Sequence, residues 1–290
     1  MPLSDNTYAA LLMIASMAAF TLNDALMKLM SGQAPLFQLI FMRGVITTCA
    51  IGVVVWRMGH FRARIEWQDQ GWVVLRTLAE AVASYFFLTA LFNMPIANVT
   101  AILQALPLTI TLAAAVFLRE PVGWRRMTAI FIGLIGVLLI IRPGAADFNA
   151  YSLYAIAAVI SVTVRDLATR KLSSSVPSVL VVFANALFIT LVFGALSTAS
   201  PWSPVTSQIF GLTIAAAVLM VGAYLFSIMV MRVGEISFVA PFRYTGLLWA
   251  MLLGLVIFGE WPDAVTLAGA TTVVASGLFM LHRDARSRAS

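Results

Sequence analysis

Charge is scarce in this chain of 290 residues: Asp, Glu, Lys and Arg together make up 10% of it, against about 25% in soluble domains. So few ionised groups cannot clothe a water-facing surface, and a soluble globular fold is excluded. Cysteine is limited to Cys49, inside an apolar run, which excludes an intrachain disulfide and a thiol metal site and reads as packing. The two histidines, His60 and His282, stand at the edges of apolar runs and far apart, so neither a metal cluster nor a nucleophile with its base is available. There is no P-loop, hence no ATP coupling within this chain, and no cofactor is implied. Long linkers and low-complexity stretches are also missing, which argues against an appended soluble domain.

What is present is apolar: 61% of the residues are hydrophobic and the mean hydropathy is +0.97. This is the composition of an integral membrane protein, with the lipid bilayer as its partner. The net charge of +6 is not a nucleic-acid footprint, because the bases sit in short loops between apolar runs, where they orient a membrane protein. About 20 mostly apolar residues cross the hydrocarbon core. Runs of that kind lie at 8–30, 36–56, 72–92, 96–118, 124–142, 152–170, 177–197, 208–231, 236–258 and 264–282, joined by short turns such as Ser31-Gly32 and Pro143-Gly144. The first run lacks a basic leader and continues past signal-peptide length, so it is read as a retained span.

If the N-terminus is cytoplasmic, the inner loops receive Arg57, Arg62, Arg64, Arg119, Arg125, Arg126, Arg170, Lys171, Arg232, Arg283, Arg286 and Arg288, and the outer ones only Lys28 and Arg142. That bias places both termini in the cytoplasm and, since an error in one span would break the alternation, supports the number ten.

The chain also repeats itself. At a spacing of 140, Glu120 meets Glu260 and Gln104 meets Tyr244; at 142, Thr21 meets Thr163, Asp24 meets Asp166, Lys28 meets Arg170 and Phe41 meets Phe183. Five spans per half is odd, so the second half must enter the membrane the other way round. The expected fold is an all-α membrane protein of ten transmembrane helices in two inverted five-helix repeats, 1–145 and 146–290. Such repeats build alternating-access carriers with the substrate site between the halves, near the midplane.

Charges inside the spans mark the candidate site, since an arginine at mid-membrane costs about 2.5–3.5 kcal/mol on insertion scales and should face protein or water. Arg243 is the foremost candidate for substrate contact, because a guanidinium offers planar, multidentate hydrogen bonding. Asp24 and Lys28, spaced i to i+4, can pair on one face of the first span; Arg43 lies at a depth that allows a bridge to Asp24, and Lys28 alternatively snorkels to the outer interface. Arg76 and Glu80 repeat the spacing in the third span. Glu80 is a candidate proton carrier, the competing account being an ion pair with Arg76 or Arg243. Asn98 and Gln104, Tyr85, Tyr244 and Trp249 suit a flat or polar organic solute, with a core-packing role as the alternative for each aromatic. Pro107 and Pro241 allow kinks at gates. Arg165-Asp166 reads as a solvated interfacial cluster, Glu120 and Glu260 as caps and loop bridges, and Gly133 to Gly136 as close helix packing that would also support a dimer, leaving monomer and homodimer both open.

Asn23-Asp24 with Lys28, Phe41-Met42-Arg43, Leu75-Arg76, Arg119-Glu120, Ala240-Pro241-Phe242-Arg243-Tyr244 and Phe258-Gly259-Glu260 together resemble the bacterial drug/metabolite transporter superfamily in its ten-helix form with two EamA-type repeats. The Asn-Asp pair and the motif of the ninth span are similar to the branch that includes S-adenosylmethionine and riboflavin carriers. The resemblance covers nearly the whole chain and implies a secondary transporter in the inner membrane, taking up a small organic solute such as riboflavin or S-adenosylmethionine, with Asn23 near the cavity. Export of an amino acid or toxic metabolite is the main alternative; an intramembrane enzyme is disfavoured by the basic neighbours of Asp24 and Glu80. Arg43 stands where the second half has Asn185, so the site is expected to be asymmetric.

Overall fold

The computed structural model describes residues 5–62, 65–120, 122–145, 148–173, 175–233 and 235–289. Ten helices among them are long and apolar enough to cross a membrane: α1 Asp5–Leu29, α2 Leu36–Arg57, α3 Trp67–Asn93, α4 Ile96–Phe117, α5 Trp124–Ile141, α6 Tyr151–Lys171, α7 Ser178–Ser197, α8 Ser207–Val230, α9 Ala240–Phe258 and α10 Ala264–His282. No strand occurs among the described residues, in keeping with hydrocarbon's demand that each spanning segment satisfy its own backbone. The basic residue Arg64 lies outside them, as do the side chains of Arg62, Arg232, Arg283, Arg286 and Arg288. Cys49 is on the exposed face of α2 rather than in the core, correcting the packing role expected of it.

α1 packs along α8, α3 along α6, α2 along α7 and α5 along α10. Exchanging each helix for the one five places on turns the first pair into the second and the last two into themselves. Side chains repeat the relation. The Phe41 ring lies against Gly194 and the Phe183 ring against Gly52, where an added Cβ would meet ring carbons at 2.7 and 3.1 Å. Between these contacts the Thr48 and Thr190 hydroxyls, 142 residues apart, share a hydrogen bond of 3.0 Å. The helix ends match as well: Arg119 and Gly259 both take a left-handed backbone conformation, and the following Glu120 and Glu260 N–H groups donate back to the Ala114 and Gly254 carbonyls.

Two spans are interrupted near the prolines expected to allow kinks. α4 consists of Ile96–Leu103 and Leu106–Phe117, joined by a tight turn at Gln104-Ala105. α9 opens as a 3-10 turn over Ala240–Tyr244, continues as an α-helix to Leu253 and ends in a π-helical turn, Gly254–Phe258. A proline removes one N–H and crowds the carbonyl four residues back, so Pro107 breaks α4 at Leu103, one turn upstream; Pro241 lies within the opening 3-10 turn of α9. The two interrupted helices pack against each other, and a Cβ at Gly246 of α9 would lie 3.8 Å from the Gln104 side-chain amide.

Gly136 and Gly269 bring the α5 and α10 backbones together, and Gly133 sits against Leu108 and Ser276. This glycine face is therefore occupied within the chain rather than offered to a second copy. The groove of about 460 Å³ between α5 and α10, lined by Trp124, Thr128, Ile132 and Phe279 among others, holds none of the expected site residues.

Candidate functional site

In α1, Asn23 is fully buried and links two charges. The Arg43 guanidinium donates to Asn23 Oδ1 at 3.1 Å, and Asn23 Nδ2 donates to Asp24 Oδ1 at 2.9 Å. The direct Asp24–Arg43 bridge is thus replaced by an amide relay, and the Asp24–Lys28 pair does not form. The amide is the one hydrogen-bond partner of Asp24 among the described residues.

The other half repeats the device with different charges. Arg165, the residue before Asp166, donates to Asp166 Oδ1 at 2.7 Å and, across to α3, to Glu80 Oε2 at 2.9 Å. Glu80 stands at the middle of the 27-residue α3. Its partner is neither Arg76 nor Arg243. Arg76 instead donates to the Thr169 hydroxyl at 3.0 Å. The Arg165 and Asp166 side chains are 22% and 26% exposed, so this pair belongs to the helix bundle and is not a solvated interfacial cluster. The spacing that aligns Asp166 with Asp24 held that information.

Tyr224 of α8 joins the two clusters: it packs edge-on against Phe20 at 5.4 Å and lies within electrostatic range of Glu80, Arg165, Arg76 and Arg43. Arg243, on the 3-10 turn of α9, is exposed, yet it is surrounded by protein and in electrostatic range of Asp166 and Arg165. It makes no hydrogen bond or ion pair among the described residues. Asn98 Oδ1 is buried without a partner among the described residues; Gln104, Trp249, Pro107 and Pro241 are half-buried.

Tyr244 is 7% exposed, and a Cβ on Gly277 of α10 would overlap its hydroxyl. Its ring fills the notch that glycine leaves. Tyr85 belongs to an aromatic cluster, with ring centroids 6.0 Å from Phe37, 5.3 Å from Phe86 and 6.4 Å from Tyr154.

Two ion pairs stand at the ends. Lys28 neither snorkels nor meets Asp24: its ammonium donates to both Glu260 oxygens at 2.7 and 2.9 Å and to the Met94 carbonyl at 2.7 Å, and lies 4.9 Å over the Phe258 ring. Glu260 also accepts the Ile96 N–H, capping α4. The counterparts Arg170 and Glu120 approach only to 3.4 Å, with side chains 47% and 50% exposed. In the loop before α10, the Asp263 carboxyl is held below the usual carboxylate range, chiefly by the Thr266 N–H it accepts and further by the Arg142 guanidinium.

Ten apolar helices with unlike charges turned inward define a multi-pass membrane protein. The description "EamA-like transporter family" matches the chain twice, over residues 7–142 and 149–282, and the chain belongs to that family. It is 31% identical to a riboflavin transporter of Vibrio cholerae over 78% of this chain and 76% of that one. It is 23% identical to an S-adenosylmethionine uptake transporter of Rickettsia felis over 94% and 92%, and 25% identical to the pseudopaline exporter CntI of Pseudomonas aeruginosa over 91% and 93%. A solved crystal structure superposes over 98% of this chain and 99% of its own with a TM-score of 0.67 at 21% identity, which shows the fold.

Proposed function

We propose that residues 1–145 and 146–290 are two repeats inserted in opposite senses, with both termini cytoplasmic, and that they carry an organic metabolite by alternating access around the cavity between them. The observation that carries this reading is Arg243: a cation with no hydrogen bond or ion pair among the described residues, on an interrupted helix, present in one half only, since Leu103 takes its place in the other. Broken helices at a repeat interface are where such carriers bind solutes. Arg43, Asn23, Asn98 and Gln104 line the same region, and Asp24 and Glu80 are its membrane carboxylates. Uptake of riboflavin or S-adenosylmethionine fits the relatives so named; export is the second reading, favoured by the exporter that matches nine-tenths of the chain.

Purified protein is screened by thermal shift against vitamins, nucleosides, amino acids and sulfonium or quaternary amines, and hits are followed into liposomes. Arg243→Ala is expected to weaken the bound solute roughly ten- to hundredfold, the worth of a charge-assisted hydrogen bond. Full affinity in that variant would remove Arg243 from the site, and no solute accumulating or exchanging under any gradient would overturn the carrier reading. Proton coupling through Asp24 or Glu80 belongs to the same proposal, and uptake indifferent to a protonophore would end it.

Lys28–Glu260 closes one end in this reading, and the looser Arg170–Glu120 pair leaves the other free to open. Lys28→Met should therefore expose the outer end. In a Cys49→Ser background, an impermeant maleimide added outside should label Tyr85→Cys about tenfold faster, as expected for losing about 1.5 kcal/mol of charge-assisted bonding. Unchanged labelling would show that the pair is not a latch.

A further inference from the structure

The groove between α5 and α10 shares no side chain with the candidate carrier site, and the glycine crossing sets where it ends. Gly136 and Gly269 bring the two backbones together, and Gly133, one turn nearer the start of α5, lies against Leu108 and Ser276. Between that contact and the start of α5 a groove of about 460 Å³ opens, within the roughly 300–1,000 Å³ of small-molecule sites. Ile132 lies about 12 Å along the helix from Trp124, at about 1.5 Å per residue, so the groove runs well into the depth of the membrane. Ile132 and Phe279 are 47% and 46% exposed on helices apolar enough to span a bilayer. The groove therefore opens sideways to hydrocarbon, and its occupant comes from the lipid phase.

The two ends of the groove differ in chemistry. Ile132, Ala275 and Phe279 line it with carbon, and Ser276 is buried. At the other end Trp124, the first residue of α5, is 73% exposed, the residue type and place of an interfacial anchor. The neighbouring Arg125 guanidinium sits 5.3 Å from the Trp124 ring centroid and makes no hydrogen bond or ion pair among the described residues. The first turn of α5 holds no acidic residue to neutralise it. A wholly apolar occupant would leave Arg125 unpaired, a small free anion would gain nothing from the carbon walls, and a zwitterionic head would bring a second cation beside the first.

We infer that this groove holds an acyl chain of an acidic phospholipid, whose phosphate pairs with Arg125 beside Trp124. A guanidinium presents the planar fork that a phosphate accepts in two places. Under the orientation proposed above, the lipid belongs to the cytoplasmic leaflet.

The test is native mass spectrometry of the purified protein titrated with phosphatidylglycerol or with phosphatidylcholine of the same chains. One phosphatidylglycerol per chain should bind roughly tenfold more tightly than phosphatidylcholine, the worth of one charge-assisted hydrogen bond. Arg125→Gln should erase the preference, and Ala275→Trp, which fills the groove, should weaken both lipids. Arg57→Gln, at an exposed base ending α2, should leave the preference intact. Equal binding of the two lipids by the wild type overturns the inference and needs no variant to fold. So does a preference that survives Arg125→Gln, or one that falls equally in Arg57→Gln, the mark of general attraction to a basic surface. Glycerol 3-phosphate competing as well as the whole lipid would reduce the site to an anion site and overturn the acyl-chain assignment. A dimer that Ala275→Trp dissociates, with neither lipid preferred, would give the groove to a second copy. Each of these failures leaves the carrier reading standing, because transport into liposomes does not enter the measurement.

Discussion

Replacing Arg165 by methionine is expected to cost about 3 kcal/mol of stability, enough to lower sharply the yield of monodisperse protein in detergent and its melting temperature. The size follows from what the guanidinium leaves behind. Glu80 sits 13% exposed at the centre of α3 and Asp166 faces it from α6. Removing the shared cation strands both carboxylates in a medium that solvates them poorly. Breaking a buried pair from one side costs about 3–5 kcal/mol, whereas removing both partners is often close to neutral. Adding Glu80→Leu to Arg165→Met should therefore restore most of the loss, with Asp166 left to Arg243. A single variant as stable as the wild type would mean that water already solvates these groups and that the triad is not a structural clamp between α3 and α6. The double variant separates clamp from site: recovered stability without recovered transport would place the same charges in the translocation path.

The sequence made the ten spans, the repeat spacing and the identity of the inward charges readable, because each depends on hydropathy over a whole helix or on residues matched far apart. It did not reveal the partners. Asp24–Lys28 and Arg76–Glu80 have favourable local spacing, but an i to i+4 pair is worth only about 0.2–0.5 kcal/mol, and a desolvated ion demands several times that. Lys28 therefore reaches a carboxylate 232 residues away, and Glu80 a guanidinium 85 residues away. Arg170-Lys171, a turn or two on, makes Arg165-Asp166 look interfacial; its match to Asp24, whose neighbour Asn23 is buried, is the better guide to depth. The helix breaks were signalled by Pro107 and Pro241. The position of the first was displaced because a proline disrupts the turn before itself. Tyr244 shows the converse limit. Its neighbours in sequence place it beside Arg243, but Gly277 of α10 receives its ring.

Gly269→Val should produce the second large effect, and its contrast with another glycine makes it informative. A Cβ on Gly269 would lie 2.6 Å from the Gly136 carbonyl oxygen and 2.8 Å from Ile140 Cγ1, while one on Gly136 would lie 2.8 Å from the Gly269 carbonyl. The two carbonyl oxygens among these obstacles are backbone atoms, so no rotamer change relieves them; α5 and α10 would have to separate. Overpacking costs typically about 1–3 kcal/mol per site, and valine adds two further methyl groups at a backbone crossing, so a loss at or above the upper end is expected. Gly211 of α8 has nothing within 4 Å of its would-be Cβ. Gly211→Ala should leave the stability unchanged or raise it by up to about 1 kcal/mol of helix propensity, read as a melting temperature that does not fall. Equal tolerance at both positions would show that α5 and α10 are not fixed at this crossing. Because α5 and α10 exchange with each other under the repeat, their crossing is common to both halves. A separation there should depress transport of every solute alike, unlike Arg243→Ala, whose effect should depend on the solute.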